Sequence, residues 1–429
     1  GQDSAPPVTG GRQVTLEIWN PDWGPISTDG LQLMSREFEA KHPTITVTWT
    51  VLSGNRVEKL IAASAAGTPP DTHYINSGFS TSFAHKGLLH PLDAYFKATK
   101  LTRKDFVAAV YDQNVYKGTL YGVPGGSDWI ALFYNKEVFA QAGLDPERPP
   151  RTFKEMAEVS ATINQKDSSG EFTRIGNIPG TPYGFSPRSA VYMYGGTLYD
   201  EANARFTLDH PKNVEAIEML AAYARQIDYA KAQAFLQGKP NYRKAENVWY
   251  TNSAAFLHTG FWLYEEVDKY RPDLDYGAAW PVPGLTGTKA EMKNFVIGGW
   301  GHANPSGSRN HDEAWLFLRH FFIDNAAQMG YLSLNGPSVI GQLDLFKKEL
   351  IQRTLKPDNR MAKHMDFLLE VARNGTHPSA PPTILGTRPG DEFEKAVTAA
   401  LLGQAPVREA LTAANRTLQG ELDQALRGG

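Results

Sequence analysis

After a short polar start, the chain settles into strict alternation. In QVTLEIWN every second residue is apolar, the period of a half-buried strand, and the run ends at Asn20. A loop, PDWGPISTDG, leads to LQLMSREFEAKHP, whose apolar residues recur at helical spacing and stop at Pro43. TITVTWTVL reads as a second strand, RVEKLIAASAAG as a helix closed by Gly67, and PPDTHYINSG as a short strand running into a loop. Strands alternating with helices of this size predict βαβ units around a mainly parallel sheet, an α/β fold. Ligands of such sheets lie at the carboxyl ends of the strands. Three such ends carry Asn20 with Asp22 and Trp23, Ser77 with Phe79, and the loop at 298–300.

A second unit begins near residue 125. GTLYGVPGGSDWIALFYNKEVFAQAGL joins a strand, a Pro/Gly/Gly break and another strand that leads into a helix. From 152 to about 275 the pattern is mostly helical, with amphipathic runs such as NVEAIEMLAAYARQID. DYGAAWPVPG is extended and broken by Pro281 and Pro283, as a crossover between two lobes would be. HDEAWLFLRHFFID is an amphipathic helix, and beyond 344 only NGTHPSAPPTILGTRPGDE is too rich in Pro and Gly to continue helical. No internal repeat is visible.

The stretch NFVIGGWGHANPSG (294–307) sets a tryptophan among glycines. Gly298, Gly299 and Gly301 allow sharp bending and close approach of the backbone. Trp300 is then either a core anchor at a sheet edge or an aromatic plate facing a cleft.

Composition narrows the function classes. In 429 residues, 43 basic and 46 acidic side chains leave a net charge of −3, so neither nucleic acid nor an anionic membrane is an expected partner. Nine Trp, 18 Tyr and 21 Phe suit both a large core and sites for half-polar ligands. The absence of Cys excludes disulfides, thiolate metal sites and cysteine nucleophiles. No run of about 18 apolar residues is present to span a membrane. The first residues, GQDSAPPVTGGRQ, read as a flexible tether, the start expected of an exported protein after signal removal or of a trimmed chain.

Catalytic motifs are missing. There is no HExxH, no Gly-Lys-Ser/Thr phosphate loop, no GxSxG elbow and no GxGxxG turn, and the eleven His are scattered. No metal, cofactor or catalytic residue is expected. Glycoside hydrolysis would need two carboxylates flanking the sugar. The best-placed carboxylate is Asp128, between Gly125-Gly126 and Trp129. It is either a turn aspartate or an acceptor for ligand hydroxyls; without a partner it hydrolyses nothing.

Several segments in order resemble the extracytoplasmic solute-binding proteins of bacterial ABC importers, in the sugar-binding group related to maltose-binding protein. They are VTLEIWN, REFEAKHPTITV, KLIAASAAGTPPDTHYI, KGLLHPLDAYF, VYKGTLYGVPGGSDWIALFYNKEVFAQAGLDPERPPRTFKEM, YMYGGTLYDE, AAFLHTGFW, YGAAWPVPG and NFVIGGWGHANPSGSRNHDEAWLFLRHF, spread across about 14–420. The resemblance implies a two-lobed periplasmic-binding-protein fold with hinge strands and a ligand cleft between the lobes. A tail of 1–11 would precede one lobe of 12–124 with 284–330, and the other lobe would combine 125–283 with 331–429. It also implies a substrate-binding component that delivers a carbohydrate, a di- or oligosaccharide, to the transmembrane subunits of a permease. Such a protein is an extracytoplasmic monomer, in periplasm or at the cell surface, with a lipid anchor as one possibility.

Residue by residue, the resemblance makes Trp300, Gly299 and Gly298 the first candidate ligand contacts, with Trp300 facing the cleft. Trp262 in TGFW matches a second aromatic position, and Asp128 with Trp129 matches the polar segment before the YN strand. Asn20, Asp22, Trp23, Ser77 and Phe79 lie in loops where such proteins hold ligands, and Arg388 lies in a region that often reaches into the cleft, its guanidinium either bonding ligand hydroxyls or forming a plain salt bridge. AGLDPERPP is also similar to receptors for glycerol-3-phosphate or its diesters, in which Arg388 would face a phosphate. An extracellular carbohydrate-active hydrolase is the alternative of another class. NIPGTPYGFSPRSAVYMYGG carries no assignable contact.

Overall fold

The structure is a computed structural model, and it describes residues 12–21, 25–76, 78–333, 336–354, 360–378 and 381–427. Ten strands form two sheets: β1 Val14–Pro21, β2 Ile45–Leu52, β3 Thr72–Asn76, β4 Gly122–Asp128, β5 Ile130–Asn135, β6 Phe256–Gly260, β7 Tyr276–Ala279, β8 Val296–Ala303, β9 Gly336–Pro337 and β10 His377–Pro378. The larger, seven-stranded sheet runs β9-β4-β8-β3-β1-β2, with β10 attached to β8. Within it β1 is parallel to β2 and β3, while β8 is antiparallel to β3 and β4. The smaller sheet is antiparallel, in the order β6-β5-β7.

The predicted alternation is seen in β1, where Val14, Leu16, Ile18 and Asn20 are buried and the residues between are not. The first helix spans Pro25–Lys41 and ends just before Pro43. The second, Arg56–Ala65, is capped by the Asn55 side chain, which accepts from the Glu58 N–H at 3.3 Å. Each sheet has its own core. Leu16, Ile18, Met34, Phe38, Phe317 and Phe322 pack the larger one, and Phe133, Phe139, Phe256, Phe261 and Phe346 belong to the other.

The chain passes between these two bodies three times. The first passage is at Trp129, between β4 in one sheet and β5 in the other. Sheet membership therefore moves the division from 124/125 to Trp129. The second passage is displaced from 283/284. Gly284 still bonds the second body, donating to the Arg151 carbonyl and accepting from the Phe153 N–H, and the chain crosses within β8, between Ile297, which lies in the second core and pairs with β10, and Gly298, the first to pair with β4. The third follows β9, which pairs with β4, and precedes the helix Leu343–Thr354, whose Phe346 belongs to the second core.

Strands β4 and β8 are short of side chains where they meet, for a reason opposite to the expected one. Trp300 pairs with Gly126, and its indole lies against the bare backbone of Gly125 and Gly126; a methyl on either glycine would stand 2.5 Å from the ring. Tyr74 stacks on Trp300 at 5.6 Å and Phe322 meets it edge-on at 5.7 Å, leaving it 3% exposed. The glycines seat the indole in the core instead of opening it to a cleft. Trp129 is likewise buried, at 5.6 Å from Phe261 and 5.1 Å from Phe346. Trp300→Ala and Trp129→Ala are each predicted to lower the unfolding free energy by about 3–5 kcal/mol, the usual loss for a core aromatic. Denaturant titration checks this, and a loss below about 1 kcal/mol would mean that the ring is not core.

Candidate functional site

Where the strands cross between the bodies they leave a cleft of about 520 Å³. Its floor is the crossing itself: Asp128 at the end of β4, Ile130 at the start of β5, and Val296 and Gly298 of β8. One wall is the turn Gly180–Pro182 and the first turn of the helix Pro187–Met193. Ser186 at its N-cap and Pro187 at its first position start that helix sharply, because Pro lacks an N–H where none is needed. The other wall is Tyr242, His258, Thr259 and Trp262, and the rim is Glu394, Val397, Thr398 and Leu401 on the helix Arg388–Leu401.

Asp128 pairs across the ladder with Gly298 and lies over it; a methyl at Gly298 would stand 2.5 Å from Oδ2. The missing side chain thus makes room for the carboxylate at the cleft floor. Asp128 sits deep among protein atoms yet keeps partial access to the cleft, and its carboxylate makes no hydrogen bond or ion pair among the described residues. Burial without a compensating partner pushes its pKa up to about 6.

Opposite it, Arg188 donates to Glu394 Oε1 at 2.7 Å, so that cation is already matched. Burial first, and then the Arg188 charge, lower His258 to about 4, which keeps the imidazole neutral at pH 7. Its Nε2 has no hydrogen-bond partner among the described residues. Trp262 follows Gly260, which leaves space for the indole, and its Nε1 donates to Tyr242 Oη at 2.8 Å. The half-buried ring therefore lines the cleft with its N–H engaged.

Of the sequence candidates, the cleft brings together Asp128, Gly298 and Trp262. Trp300, Gly299 and Trp129 are corrected to packing positions: both indoles are covered, and a methyl on Gly299 would stand 2.6 Å from the Gly126 carbonyl. Asn20 is 2% exposed and held by the His302 ring at 3.1 Å and by its own donation to the Pro21 carbonyl. Phe79 stacks on Phe83 at 5.8 Å in a small side core with Leu60 and Ile75, outside the cleft lining. Arg388 does not face the cleft. Its guanidinium forks onto Glu421 at 2.9 and 3.2 Å and holds Glu392 at 2.6 Å, which ties its helix to the helix Val407–Arg427. The guanidinium in the cleft is Arg188. Asp22, Trp23 and Ser77 lie outside the described residues.

Sequence reasoning passed over Tyr242, His258, Thr259 and Glu394, and also Ser186 to Ser189 with Arg188, which belong to the segment NIPGTPYGFSPRSA, whose only local signal is the Ser-Pro helix start. A second hollow, about 370 Å³ between the helices Phe153–Ile163 and Pro211–Ile227, is lined mainly by carbon and belongs wholly to the second body. Among the described residues no three His, Asp or Glu stand together as metal ligands.

The uncompensated carboxylate has a consequence for stability. An acid whose folded pKa is raised from 3.8 to about 6 is bound to its proton more tightly in the folded state. It therefore lowers stability as pH climbs through that window, by up to about 3 kcal/mol above it. Asp128→Asn is predicted to stabilise the ligand-free protein by about 2–3 kcal/mol near pH 7.5, with the gain gone below about pH 4. Denaturation midpoints across that range check it; a pH-independent difference would contradict the assignment.

Known proteins share this chain's pattern and fold. The pattern of the bacterial extracellular solute-binding protein family matches residues 24–329. A maltotriose-binding protein of Pyrococcus abyssi is 23% identical over 334 residues, 75% of this chain and 68% of that one. An sn-glycerol-3-phosphate-binding periplasmic protein of Shigella dysenteriae is 28% identical over 229 residues, 51% of each chain. The solved structure of CpMnBP1 with mannotriose bound superposes with a TM-score of 0.76 at 25% identity, covering 94% of this chain and 99% of that one. With the family pattern spanning well over half its length, the chain belongs to the bacterial extracellular solute-binding proteins.

Proposed function

We propose that this protein is the substrate-binding component of an ABC importer, holding a di- or oligosaccharide in the crossing cleft and handing it to the permease. The observation that carries the reading is the company of groups at the strand crossing. A half-buried indole, Trp262, lies in one cleft with a carboxylate and an imidazole nitrogen that have no partners among the described residues. A pyranose has an apolar C–H face for the indole and hydroxyls for the polar atoms. The maltotriose-binding relative and the mannotriose-bound structure support the same ligand class.

The lobes of this reading are the two bodies with their own cores, divided at Trp129, within β8 at Ile297/Gly298, and between β9 and the helix Leu343–Thr354. Three strand passages are few enough to act as a hinge, so that closure buries the sugar and forms the surface that the permease reads. The family's extracellular character agrees with an extracytoplasmic monomer, whether free or lipid-anchored, that has no nucleic-acid partner. No helix among the described residues is long and apolar enough to cross a membrane.

The protein is read as a binder and not a hydrolase because the cleft's second carboxylate, Glu394, is neutralised by Arg188 instead of standing free opposite Asp128. The glycerol-3-phosphate-binding relatives give a phosphate receptor some standing. The cleft speaks against it: its one lining cation is already paired, and Asp128 would repel the phosphate.

A thermal-shift and tryptophan-fluorescence screen against mannotriose, maltotriose and glycerol 3-phosphate is the test. A trisaccharide at 100 times its dissociation constant adds about 2.7 kcal/mol and raises the melting temperature. Trp262→Ala is predicted to weaken that sugar by about tenfold or more while leaving the fold intact. Stabilisation by the phosphate alone would overturn the reading.

A further inference from the structure

The charged groups of the cleft do not cancel. Its lining holds three: Asp128, Glu394 and Arg188. Arg188 and Glu394 neutralise each other at 2.7 Å, and His258 is kept uncharged by burial and by Arg188. One negative charge remains, on Asp128, half-sunk in the floor with no donor turned to it among the described residues. On its far side β3 presents Tyr74, whose ring carries Arg56 at 5.0 Å; no ion pair joins Arg56 to Asp128 among the described residues. Among the described residues, then, no counter-charge stands at the place where closure of the cleft would expel water.

A neutral diol would hydrogen-bond this carboxylate but leave its charge uncompensated in a dry site, and an anion would add a second negative charge. A cation removes the cost. The nearby aromatic pair suits one as well: with Trp262 Nε1 bound to Tyr242 Oη, the indole offers its face, which attracts ammonium groups as readily as sugar C–H bonds.

We propose that the ligand is a saccharide bearing a protonated amine, with the ammonium paired to Asp128 and a sugar ring on Trp262. This rests on the carbohydrate reading and specifies the class of sugar. The ion pair exists only while Asp128 is ionised. Because burial holds that carboxyl near 6, affinity for such a sugar falls as pH drops from about 7 to about 5. The other charged or titratable groups facing the site are Arg188, Glu394, Arg56, Tyr74 and His258; burial keeps Tyr74 protonated and His258 neutral across this interval.

Calorimetric titration of the whole chain with the trimer of glucosamine, its fully N-acetylated form, mannotriose and glycerol 3-phosphate decides the matter. The expected result near pH 7 is at least about tenfold tighter binding of the amine-bearing trimer than of either neutral trisaccharide. That margin should shrink severalfold near pH 5, and Asp128→Asn should bring the amine-bearing trimer down to the level of mannotriose. Circular dichroism confirms that the isosteric variant is folded, and the wild-type pH series gives a readout independent of it. Neutral trisaccharides binding as tightly as the amine, or tighter, overturn this proposal while leaving the carbohydrate reading in place. Binding of the phosphate alone, or of none of the four, brings down that reading and this proposal with it.

Discussion

The pairing of β4 with β8 is the constraint on which the rest of the structure depends. At two places in this antiparallel ladder a large side chain on one strand faces a glycine on the other: Trp300 over Gly126 and Asp128 over Gly298. The two pairs lie two residues apart on each strand, hence on one face of the sheet, but their environments differ completely. Trp300 continues into the stack with Tyr74 and Phe322 and anchors the first body. Asp128 sits at the last position before the chain leaves that body, so its carboxylate falls into the cleft. A bulge between Trp300 and Gly301 absorbs the extra residue, Gly125, that this arrangement needs.

That placement links stability to binding. A carboxylate with no partner is a standing cost to the folded chain, and nothing in either core requires it. On the proposed reading the arrangement is pre-organisation: the charge would be held where a ligand completes it, and that ligand would inherit the free energy that burial withholds from the apo protein. The neutral His258 and the closed Arg188–Glu394 pair give the remaining cleft polarity without competing for Asp128.

Much of the fold is legible in the sequence, because local period and capping decide β1, the first two helices and the helix His311–Arg319. The cleft positions of Asp128 and Trp262 are legible too, Asp128 because GGSD sets a carboxylate beside glycines at a strand break, and Trp262 through the resemblance of TGFW to its family. Trp300 is not. Whether glycines around an indole expose it or seat it depends on the cross-strand partner, and Gly126 is far away in sequence. Which of the two readings of Arg388 holds, and that Arg188 is the one in the cleft, stay hidden for the same reason. Each is an arginine near a Pro-started helix, and only the distant carboxylates Glu421 and Glu394 determine which faces a neighbouring helix and which faces the cleft. The passage points between bodies were displaced because Pro281 and Pro283 mark an extended chain without saying which sheet it lies against.

The central claim is that the ligand is held at the strand crossing, between Trp262 and Asp128. The most direct measurement is a crystal structure of the protein with whichever trisaccharide stabilises it most. The account predicts a sugar ring against the Trp262 face, a ligand donor within about 2.6–3.2 Å of the Asp128 carboxylate, and Trp300 still covered by Tyr74 and Phe322. A sugar lying against an uncovered Trp300, or bound in the hollow between the helices Phe153–Ile163 and Pro211–Ile227, would contradict it.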